Sequence, residues 1–299
     1  MFIDIHAHAY RIKPRAFIPF CTPDELIKCY DEHKIDMGVL LPVVNAEIYL
    51  PQSVDDIIEM SEQHPDRFIP YCNVDPRCLS NSPQAPLDTV LQAYKDAGCK
   101  GIGEVMPNMA LMDPMVQNLF SCAEKVDMPI VYDGSAQLTG DFGLYDDPGL
   151  PQLEWTLLSY PKLKIFGHGP VFWSEIARLD TIAERAFYLN FRRKQVCKMN
   201  SGPVTEEGAV PKLFRKYENL HGDLSDGTAY NAIARDSNYG PRFLSEFEDR
   251  LYFGTDYVTP TMPLELDKLL ISWREQGKIS ETTFRKIAYE NAMKLLDIK

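Results

Sequence analysis

Two histidines separated by one residue follow the first apolar run of the chain, in the sequence Asp4-Ile5-His6-Ala7-His8. Side chains two residues apart on a strand project from the same face, so both imidazole rings are expected to reach one place. Two neutral imidazoles are unfavourable to bury side by side without a shared partner, and a metal ion is such a partner. Polar packing is the alternative, and we interpret the pair as metal ligands.

Four other apolar runs also end in residues that bind metals or transfer protons. They are Glu104 in the run 101–105, Asp133 after 129–132, His168 after 163–166 and Asp256 after 251–253. Imidazole and carboxylate groups are ligands of zinc and manganese, and they also serve as general acids and bases. Two further acids, Asp223 and Asp226, lie at the end of the run 220–224.

Each of these residues also has a structural interpretation. Asp256 has the residue type of a helix N-cap, although Pro260 places the next helix start further on. Glu104 is suited to an ion pair with a neighbouring base, and His168 to a turn between two glycines. Asp133 and Asp226 remain open between a functional role and a loop or cap. The histidines outside these runs are expected to be structural: His33, His64 and His221.

The runs themselves alternate with amphipathic segments. Strands are predicted at 2–5, 37–44, 68–74, 101–105, 129–132, 163–166, 220–224 and 251–253. Helices are predicted at 23–34, 53–64, 87–97, 115–126, 150–159, 173–193, 239–248, 263–276 and 280–296. Eight strands that each precede a helix indicate parallel pairing and a (β/α)8 TIM barrel. A doubly wound open sheet is the alternative, but the chain lacks the glycine-rich phosphate loop typical of it.

In a barrel of this kind, catalytic residues lie at the carboxyl ends of the strands, where all the residues above are placed. We predict one domain, 1–299, with a longer loop or helical insertion around 173–216. Within it, 173–193 is expected to be mainly helical and 200–216 to be a long loop. Three arginines that follow strand ends are candidates for binding an acidic substrate: Arg11, Arg77 and Arg178.

The composition excludes several classes of protein. A net charge of −12 over 299 residues disfavours nucleic-acid binding, which needs an excess of lysine and arginine. We find no apolar run near the roughly 20 residues of a membrane span, and no signal-peptide pattern. The seven cysteines form no C-x-x-C pair. We therefore expect a cytoplasmic protein with a small-molecule substrate, for which a homodimer remains open.

Three of these motifs together resemble the amidohydrolase-related family, the branch of the amidohydrolase superfamily that includes aminocarboxymuconate semialdehyde decarboxylase. The motifs are His6-x-His8 after the first strand, Gly167-His168-Gly169 after the sixth and Gly254-Thr255-Asp256-Tyr257 after the eighth. The resemblance spans nearly the whole chain and includes the closing segment 291–296. It implies a metal-dependent barrel enzyme.

The resemblance also implies roles for individual residues. His6 and His8 are expected to bind the metal, and His168 to lie beside it as a further ligand or a catalytic histidine. Asp256 is expected to bind the metal weakly and to exchange protons with the reacting water or substrate.

One position departs from the family, which usually has a histidine ligand where this chain has Asp133. Glu104 offers compensation, because its Gly-Ile-Gly-Glu setting resembles the metal-binding glutamate of TatD-type hydrolases. We therefore expect Glu104 within direct ligand distance of one divalent metal held with His6, His8 and Asp256. Asp133 is then an additional or substitute ligand. Zinc is the expected metal, and manganese is the alternative.

The reaction expected from these roles is hydrolysis of a small amide, ester or lactone. Asp256 would accept the proton of the attacking water, and His168 would donate to the developing oxyanion. The first alternative is non-oxidative, metal-dependent decarboxylation of a small carboxylic acid. A barrel without metal that acts as a binding protein is the second alternative, which the retained histidines and acids oppose.

Overall fold

A computed structural model describes residues 1–15, 18–48, 50–185 and 200–298 of the chain. Its strands are β1 Ile3–Ala7, β2 Met37–Leu40, β3 Phe68–Pro70, β4 Ile102–Val105, β5 Ile130–Ser135, β6 Leu144–Tyr145, β7 Ile165–His168, β8 Leu220–Asp223 and β9 Leu251–Tyr252. All described pairings between these strands are parallel, in the orders β1-β2-β3 and β4-β5-β7-β8-β9. The short strand β6 pairs with the end of β5 outside this order.

Backbone hydrogen bonds join the two sheets at both seams. Between β3 and β4, the Cys72 amide donates to the Gly101 carbonyl at 2.9 Å. Between β1 and the segment after β9, the Ile5 amide donates to the Phe253 carbonyl at 3.1 Å, and the His8 amide donates to the Tyr257 carbonyl at 2.9 Å. Eight parallel strands therefore form a ring, and the predicted TIM barrel is confirmed.

The helices are α1 Pro23–His33, α2 Val54–Gln63, α3 Leu87–Asp96, α4 Pro114–Lys125, α5 Pro151–Ser159, α6 Gly169–Ser174, α7 Ala209–Lys216, α8 Asp226–Ala234, α9 Tyr239–Glu246, α10 Leu266–Glu275, α11 Glu281–Arg285 and α12 Asn291–Leu296. A π-helical turn, Lys286–Glu290, joins the last two. Several begin where the sequence offers a cap, such as Thr22, whose hydroxyl accepts from the Glu25 amide while the Glu25 carboxylate accepts from the Thr22 amide. Within the described ranges, no helix has the length and apolarity needed to cross a membrane.

The insertion between β7 and β8 differs from the prediction. The expected helix at 173–193 is wrong over its first part, where α6 ends at Ser174 and only a 3-10 turn follows, at Ile182–Arg185. The remainder of that predicted helix, from 186 onward, lies outside the described residues, which resume at 200.

The expected loop at 200–216 is also wrong, because its second half is the helix α7. Pro211 lies in its first turn, where a missing amide hydrogen bond has no cost, and Phe214 of the same helix is buried. Gly208 sits directly before the helix because a Cβ there would lie 2.1 Å from the Glu175 carbonyl oxygen. In this stretch, Gly208 is therefore explained by its contact with Glu175 and Pro211 by the start of α7. Neither residue indicates a loop here.

The structure differs from the predicted elements at two further places. A helix, α8, follows β8 directly and precedes the predicted helix at 239–248, which ends at Glu246 as α9. Strand β5 continues to Ser135, so Asp133 lies inside a strand and not after it. Its side chain therefore projects from the same face of β5 as that of Val131.

The barrel interior below the strand ends is filled by apolar side chains that include Val131 of β5 and Phe166 of β7. Asp133 and His168 lie two residues further along the same strands, on the same face. The apolar layer therefore forms the floor on which the polar strand ends rest. A larger cluster packs the outer faces of the strands against the helices.

His221 of β8 is a buried histidine in contact with this floor. Its ring stacks on Phe166 with centroids 4.9 Å apart, and its Nδ1 atom has no hydrogen-bond partner among the described residues. Burial is the main cause that lowers the pKa of His221 to about 3, with Arg250 and Lys164 adding to it. His221 is therefore neutral in the folded protein, whereas in the unfolded chain it gains a proton below its ordinary pKa of about 6.5.

This difference makes His221 a source of acid sensitivity. A depressed folded-state pKa means that the unfolded chain binds more protons between about pH 3 and 6.5, so stability is lost as pH falls below 6.5. The loss attributable to His221 is about 2 kcal/mol at pH 5, from the linkage relation. We expect His221→Leu to reduce the stability difference between pH 7.5 and pH 5.0 by that amount, measured by urea unfolding.

The control for this experiment is Phe166→Leu, which disturbs the same apolar layer without removing a titrating group. It should lower stability by a similar amount at both pH values. An unchanged pH dependence in His221→Leu would show that His221 does not remain neutral in the folded protein.

Candidate active site

The buried carboxylate of Asp4 joins the first strand of the barrel, β1, to the segment that follows the last strand, β9. It accepts hydrogen bonds from the Tyr30 hydroxyl at 2.7 Å, the Thr255 hydroxyl at 2.6 Å, and the amides of His6 and Thr255 at 2.9 Å each. The Asp256 amide in turn donates to the His6 carbonyl at 2.7 Å. These bonds place the end of β1 beside the segment that follows β9, so His6 and Asp256 face each other.

The two histidines of β1 present their Nε2 atoms to a common point. His6 Nδ1 lies 2.6 Å from the Asp223 carboxylate, and His8 Nδ1 lies 3.0 Å from the Leu41 carbonyl oxygen. Carbonyl oxygens and ionised carboxylates only accept hydrogen bonds, so each neutral ring carries its proton on Nδ1. The unprotonated Nε2 atoms then face each other at 3.1 Å, an arrangement that needs a shared cation.

Two carboxylates complete the group of donors around this point. His8 Nε2 lies 3.3 Å from Asp256 Oδ1 and 3.4 Å from Glu104 Oε2. His6 Nε2 lies 3.5 Å from Asp256 Oδ1 and 3.6 Å from Glu104 Oε2. Donors about 2.0–2.2 Å from a tetrahedral zinc ion are about 3.3–3.6 Å apart. The four nitrogen–oxygen distances lie within this range and the two Nε2 atoms are slightly closer, so the donor set fits one divalent ion.

The electrostatics of the cluster favour positive charge at the same point. Burial disfavours a charged imidazole at His8, but the carboxylates of Asp256 and Glu104 outweigh it and raise the pKa of His8 to about 9. Burial acts against the ionised form of Glu104 too, yet hydrogen bonds from His6 and His8 hold its pKa well below the ordinary value. A divalent cation between the rings and the carboxylates satisfies the charges that protons otherwise balance.

His168, at the end of β7, borders the cluster on another side. Its Nδ1 lies 3.0 Å from the Ser225 hydroxyl, and its Nε2 lies 3.5 Å from Glu104 Oε1 and 3.9 Å from Asp256 Oδ2. When the Ser225 hydroxyl donates to Nδ1, the proton of the neutral ring is on Nε2, facing the two carboxylates. His168 is then placed as a hydrogen-bond donor towards the cavity.

Asp133 lies across Glu104 from the two histidines of β1. One of its oxygens is within 4.8 Å of the ligand atoms of Glu104 and His168. Its Oδ1 atom is buried and has no hydrogen-bond partner among the described residues. A Cβ at Gly169 would lie 1.8 Å from that atom, so glycine is required there to leave room for the carboxylate. Burial, followed by the charge of Glu104, raises the pKa of Asp133 well above its ordinary value.

A cavity of about 400 Å³ opens above this cluster. Its described charged lining comprises five acids and no lysine or arginine: Glu104, Asp133, Asp141, Asp226 and Asp256. The rest is largely apolar, with the side chains of Ile18, Phe20, Val43, Ile48, Met106 and Phe142. The volume is in the range of pockets that bind small molecules.

The six residues selected from the sequence lie together: His6, His8, Glu104, Asp133, His168 and Asp256. Five of them line this cavity, and the sixth, His6, is buried against His8. Their roles in metal binding and catalysis remain predictions. Asp226 also lines the cavity, but its carboxylate accepts from the Gly227 and Thr228 amides at the start of α8.

The three arginines proposed for substrate binding lie elsewhere. Arg11 pairs with Asp56, Arg77 with Asp75, and Arg178 with Glu206, and none of the three lines the cavity. Each follows a strand end in sequence but turns away to a nearby carboxylate. Proximity to a strand end was therefore too weak a signal for a side chain as long as arginine.

Sequence reasoning did not assign roles to the residues that orient the histidines. Asp223 was noted as a strand-end acid, but its bond to His6 joins residues 217 positions apart. Ser225 follows two residues later and contacts His168 across 57 positions. The available signal was the alternation Asp223-x-Ser225 at the end of β8, which places both side chains on one face.

A parallel-stranded barrel with histidines and carboxylates grouped at its carboxyl end defines the class of metal-dependent barrel enzymes. The chain belongs to the amidohydrolase family, whose model matches residues 3–298. Members of this superfamily generally use a divalent metal. A comparison with curated proteins gave no match.

Solved structures with the same fold include enzymes of two kinds. One is a probable 2-pyrone-4,6-dicarboxylic acid hydrolase from Acinetobacter baumannii with citric acid bound, at 15% identity, TM-score 0.60 and 99% coverage of both chains. Another is 2,6-dihydroxybenzoate decarboxylase from Rhizobium, at 16% identity, TM-score 0.55, and 99% and 98% coverage of this chain and that one. A third is an amidohydrolase from Burkholderia multivorans with bound zinc, at 14% identity, TM-score 0.59 and full coverage of both chains. At these identities the similarity shows a shared fold.

The contact between Asp223 and His6 generates a prediction about metal affinity. A carboxylate that holds a ligand histidine through its other nitrogen typically contributes 10- to 100-fold to affinity, because it fixes the tautomer and orientation of the ring. We expect Asp223→Asn to weaken zinc binding by about 10- to 100-fold, measured by competition with a chromophoric chelator.

The matched control is Asp267→Asn. Asp267 also holds a histidine, at 2.8 Å from His33 Nδ1, but away from the cavity. Zinc affinity should be unchanged in this variant. Equal affinities for wild type and Asp223→Asn would mean that His6 is not a ligand or is oriented by other contacts.

Proposed function

We propose that the protein is a metal-dependent hydrolase of a small ester, lactone or amide. The observation that carries this proposal is the position of four donors, two imidazole nitrogens and two carboxylate oxygens, spaced for one divalent ion at the base of the cavity. The apolar part of the cavity wall suits the body of an uncharged substrate.

We propose His6, His8, Glu104 and Asp256 as the residues that hold the metal. A divalent ion in such a site supplies a Lewis acid that polarises a carbonyl and lowers the pKa of a water molecule. Zinc suits the mixed nitrogen and oxygen donors and is bound by one protein of the same fold, whereas manganese suits the carboxylates. Zinc is therefore the metal that we propose, with manganese as the alternative.

Asp256 is the residue that we propose for proton transfer. It is more exposed than the histidines and Glu104, with 17% of its side chain accessible against 5% or less for the others. Its carboxylate lines the cavity, so it can accept a proton from an attacking water and return it to the leaving group. Its backbone is in the left-handed region, with φ 54°, which aspartate tolerates better than most residues.

His168 has a complementary role in this proposal. Its Nε2 atom faces the same space as the carboxylates of Glu104 and Asp256. As a donor held by Ser225, it is positioned to stabilise negative charge that develops on a carbonyl oxygen during attack.

Decarboxylation is the competing reaction, and the dihydroxybenzoate decarboxylase of similar fold favours it. A divalent ion at the four donors would attract a carboxylate, but the described wall beyond them has three further acids, Asp133, Asp141 and Asp226, and no lysine or arginine. Like charges at short range in a site shielded from water are unfavourable, and a neutral ester, lactone or amide avoids this repulsion. Charge therefore favours hydrolysis.

The proposal can be tested by reconstitution. Protein stripped of metal and reloaded with zinc or manganese should hydrolyse members of a panel of aryl esters, lactones and anilides, with about one ion bound per chain. The His6→Ala/His8→Ala variant should fold, retain no stoichiometric ion and have no activity. Full retention of metal in that variant would refute the ligand assignment. Loss of carbon dioxide from aromatic acids, without hydrolysis of the panel, would establish decarboxylation instead.

The role of Asp256 leads to a separate prediction. General acid–base catalysis contributes about 10²- to 10⁴-fold to rate, so Asp256→Asn should lower kcat by at least about a hundredfold on the best substrate of the panel. The substitution is nearly isosteric, so thermal unfolding should change little. If Asp256→Asn retains activity within a few-fold of wild type, proton transfer must proceed through His168. The His168→Asn variant should then lose its activity.

A further inference from the structure

Part of the cavity lining is a set of apolar side chains that the fold does not use for its own core. This apolar wall consists of Ile18, Phe20, Val43, Ile48, Met106 and Phe142. Among the described residues, none of the six belongs to either apolar cluster of the barrel. Ile18, Ile48 and Phe142 are only partly buried. Apolar side chains that face a cavity, and not the interior, are typical of a site that binds an apolar group.

The apolar wall is built by loops from opposite sides of the barrel mouth. Phe20 is in the loop after β1, and Phe142 is in the loop after β5. In the ring, β2, β3 and β4 separate β1 from β5 on one side, and β7, β8 and β9 separate them on the other. Ile48 and Met106, from the loops after β2 and β4, lie between the two phenylalanines in this order. A ligand in the cavity is therefore in contact with apolar atoms on more than one side.

Contacts between the first two loops fix one part of the apolar wall. The Tyr10 hydroxyl donates to the Leu50 carbonyl at 2.7 Å, and Gln52 Nε2 donates to the Ala9 carbonyl at 2.7 Å. The Tyr10 ring also stacks on Phe20, with centroids 4.4 Å apart. The loop after β1 and the loop after β2 therefore hold each other in place.

The loops after β4 and β5 are joined in a similar way. The Gly143 amide donates to the Met106 carbonyl at 2.7 Å, and Phe142 directly precedes this glycine. Asn45 Nδ2, from the loop after β2, donates to the same carbonyl at 3.3 Å. The apolar wall is thus formed by the protein itself, so little ordering of loops opposes the binding of a ligand.

We propose that the apolar wall is the specificity site of the enzyme and selects substrates with an apolar group next to the bond that is cleaved. This inference rests on the proposed hydrolysis and specifies its substrate class, an ester, lactone or amide of a medium-length apolar acid or alcohol. Met106 lies two residues after Glu104, and Val258 lies two residues after Asp256, and all four line the cavity. The apolar surface therefore begins beside the metal-binding carboxylates, which places the apolar group next to the reacting carbonyl.

The volume of the cavity limits the size of this group. At about 30 Å³ for a group the size of a water molecule, the cavity of about 400 Å³ holds roughly a dozen non-hydrogen atoms. The three atoms of an ester group and the attacking water take about four of these places, which leaves roughly eight carbons. A longer chain extends past the mouth into solvent and gains no further contact.

The test compares the methyl esters of acetic, butanoic, hexanoic, octanoic and decanoic acids, with protein loaded with zinc. Each added methylene should raise kcat/KM by about fourfold up to octanoate, because it is buried against the apolar wall, and decanoate should give no further rise. The acetate esters of the matching alcohols place the same chain on the leaving group. A rise in either series supports the inference. Hydrolysis of both series at rates independent of chain length would overturn it and leave the proposed hydrolysis intact.

The variant Phe142→Ala removes one side of the apolar wall. It should lower the ratio of kcat/KM for the octanoyl or octyl ester to that for methyl acetate by at least about tenfold, because about two methylenes lose their apolar contact. The matched control is Leu138→Ala, in the same loop, where the leucine is 49% exposed and is not among the described residues that line the cavity. Its ratio should stay within about twofold of wild type. Equal losses in both variants would assign the effect to the loop as a whole and overturn the role of the apolar wall.

A binding measurement keeps the inference testable if no ester is hydrolysed. Calorimetry of the wild type with 1-butanol, 1-hexanol and 1-octanol should then show affinity that rises by about fourfold per methylene, and Phe142→Ala should weaken the binding of 1-octanol by about tenfold. With that result the proposed hydrolysis fails and the apolar site stands. Affinity that does not depend on chain length, or that is equal in wild type and Phe142→Ala, overturns the inference.

Discussion

The site depends on one buried carboxylate, that of Asp4, which joins the first strand of the barrel to the segment after the last. Four donors reach it, from the His6 and Thr255 amides and from the hydroxyls of Tyr30 and Thr255. With no exposure to water, Asp4 obtains its hydrogen bonds from these groups alone, so their positions are tightly constrained. The ring closes there, and its closure brings the two histidines of β1 against Asp256.

The same closure produces an excess of negative charge at the mouth of the barrel. Parallel strands end at one rim, where acids and histidines from several strands meet. Such a group is stable only when cations share the space, either protons, a metal ion or a charged part of a ligand. The space between His6 and His8 is such a position, because their Nε2 atoms face each other there. The floor beneath, including Val131 and Phe166, is largely apolar, and the histidine in contact with it, His221, is neutral.

Much of this arrangement was predictable from the chain alone. The number of strands, their parallel order and the residues at the rim follow from local patterns: His6-x-His8, Glu104 and Asp256 each end a short apolar run. The pairing of His6 with Asp223 did not follow, since it depends on the relative rotation of strands far apart in sequence. The helix α7 was not predicted because glycine and proline are common in loops. Here Gly208 allows a close approach to the Glu175 carbonyl, and Pro211 lies in the first turn of the helix. The arginines failed as predictions because long side chains can reach partners on either side of a strand end.

Closure through Asp4 has a consequence for how the chain reaches its native state. The bond from Thr255 to Asp4 spans 251 residues, so the first strand has its last partner only after all the intervening residues have been synthesised. At about 5–20 residues per second, a ribosome needs roughly 12–50 seconds between these two residues. During that interval β1 has one unpaired edge, and the Asp4 carboxylate lacks the Thr255 donors. Contacts this distant in sequence also make closure a slow step of folding. The nascent chain is therefore expected to depend on protection of that edge by chaperones until Thr255 has emerged from the ribosome.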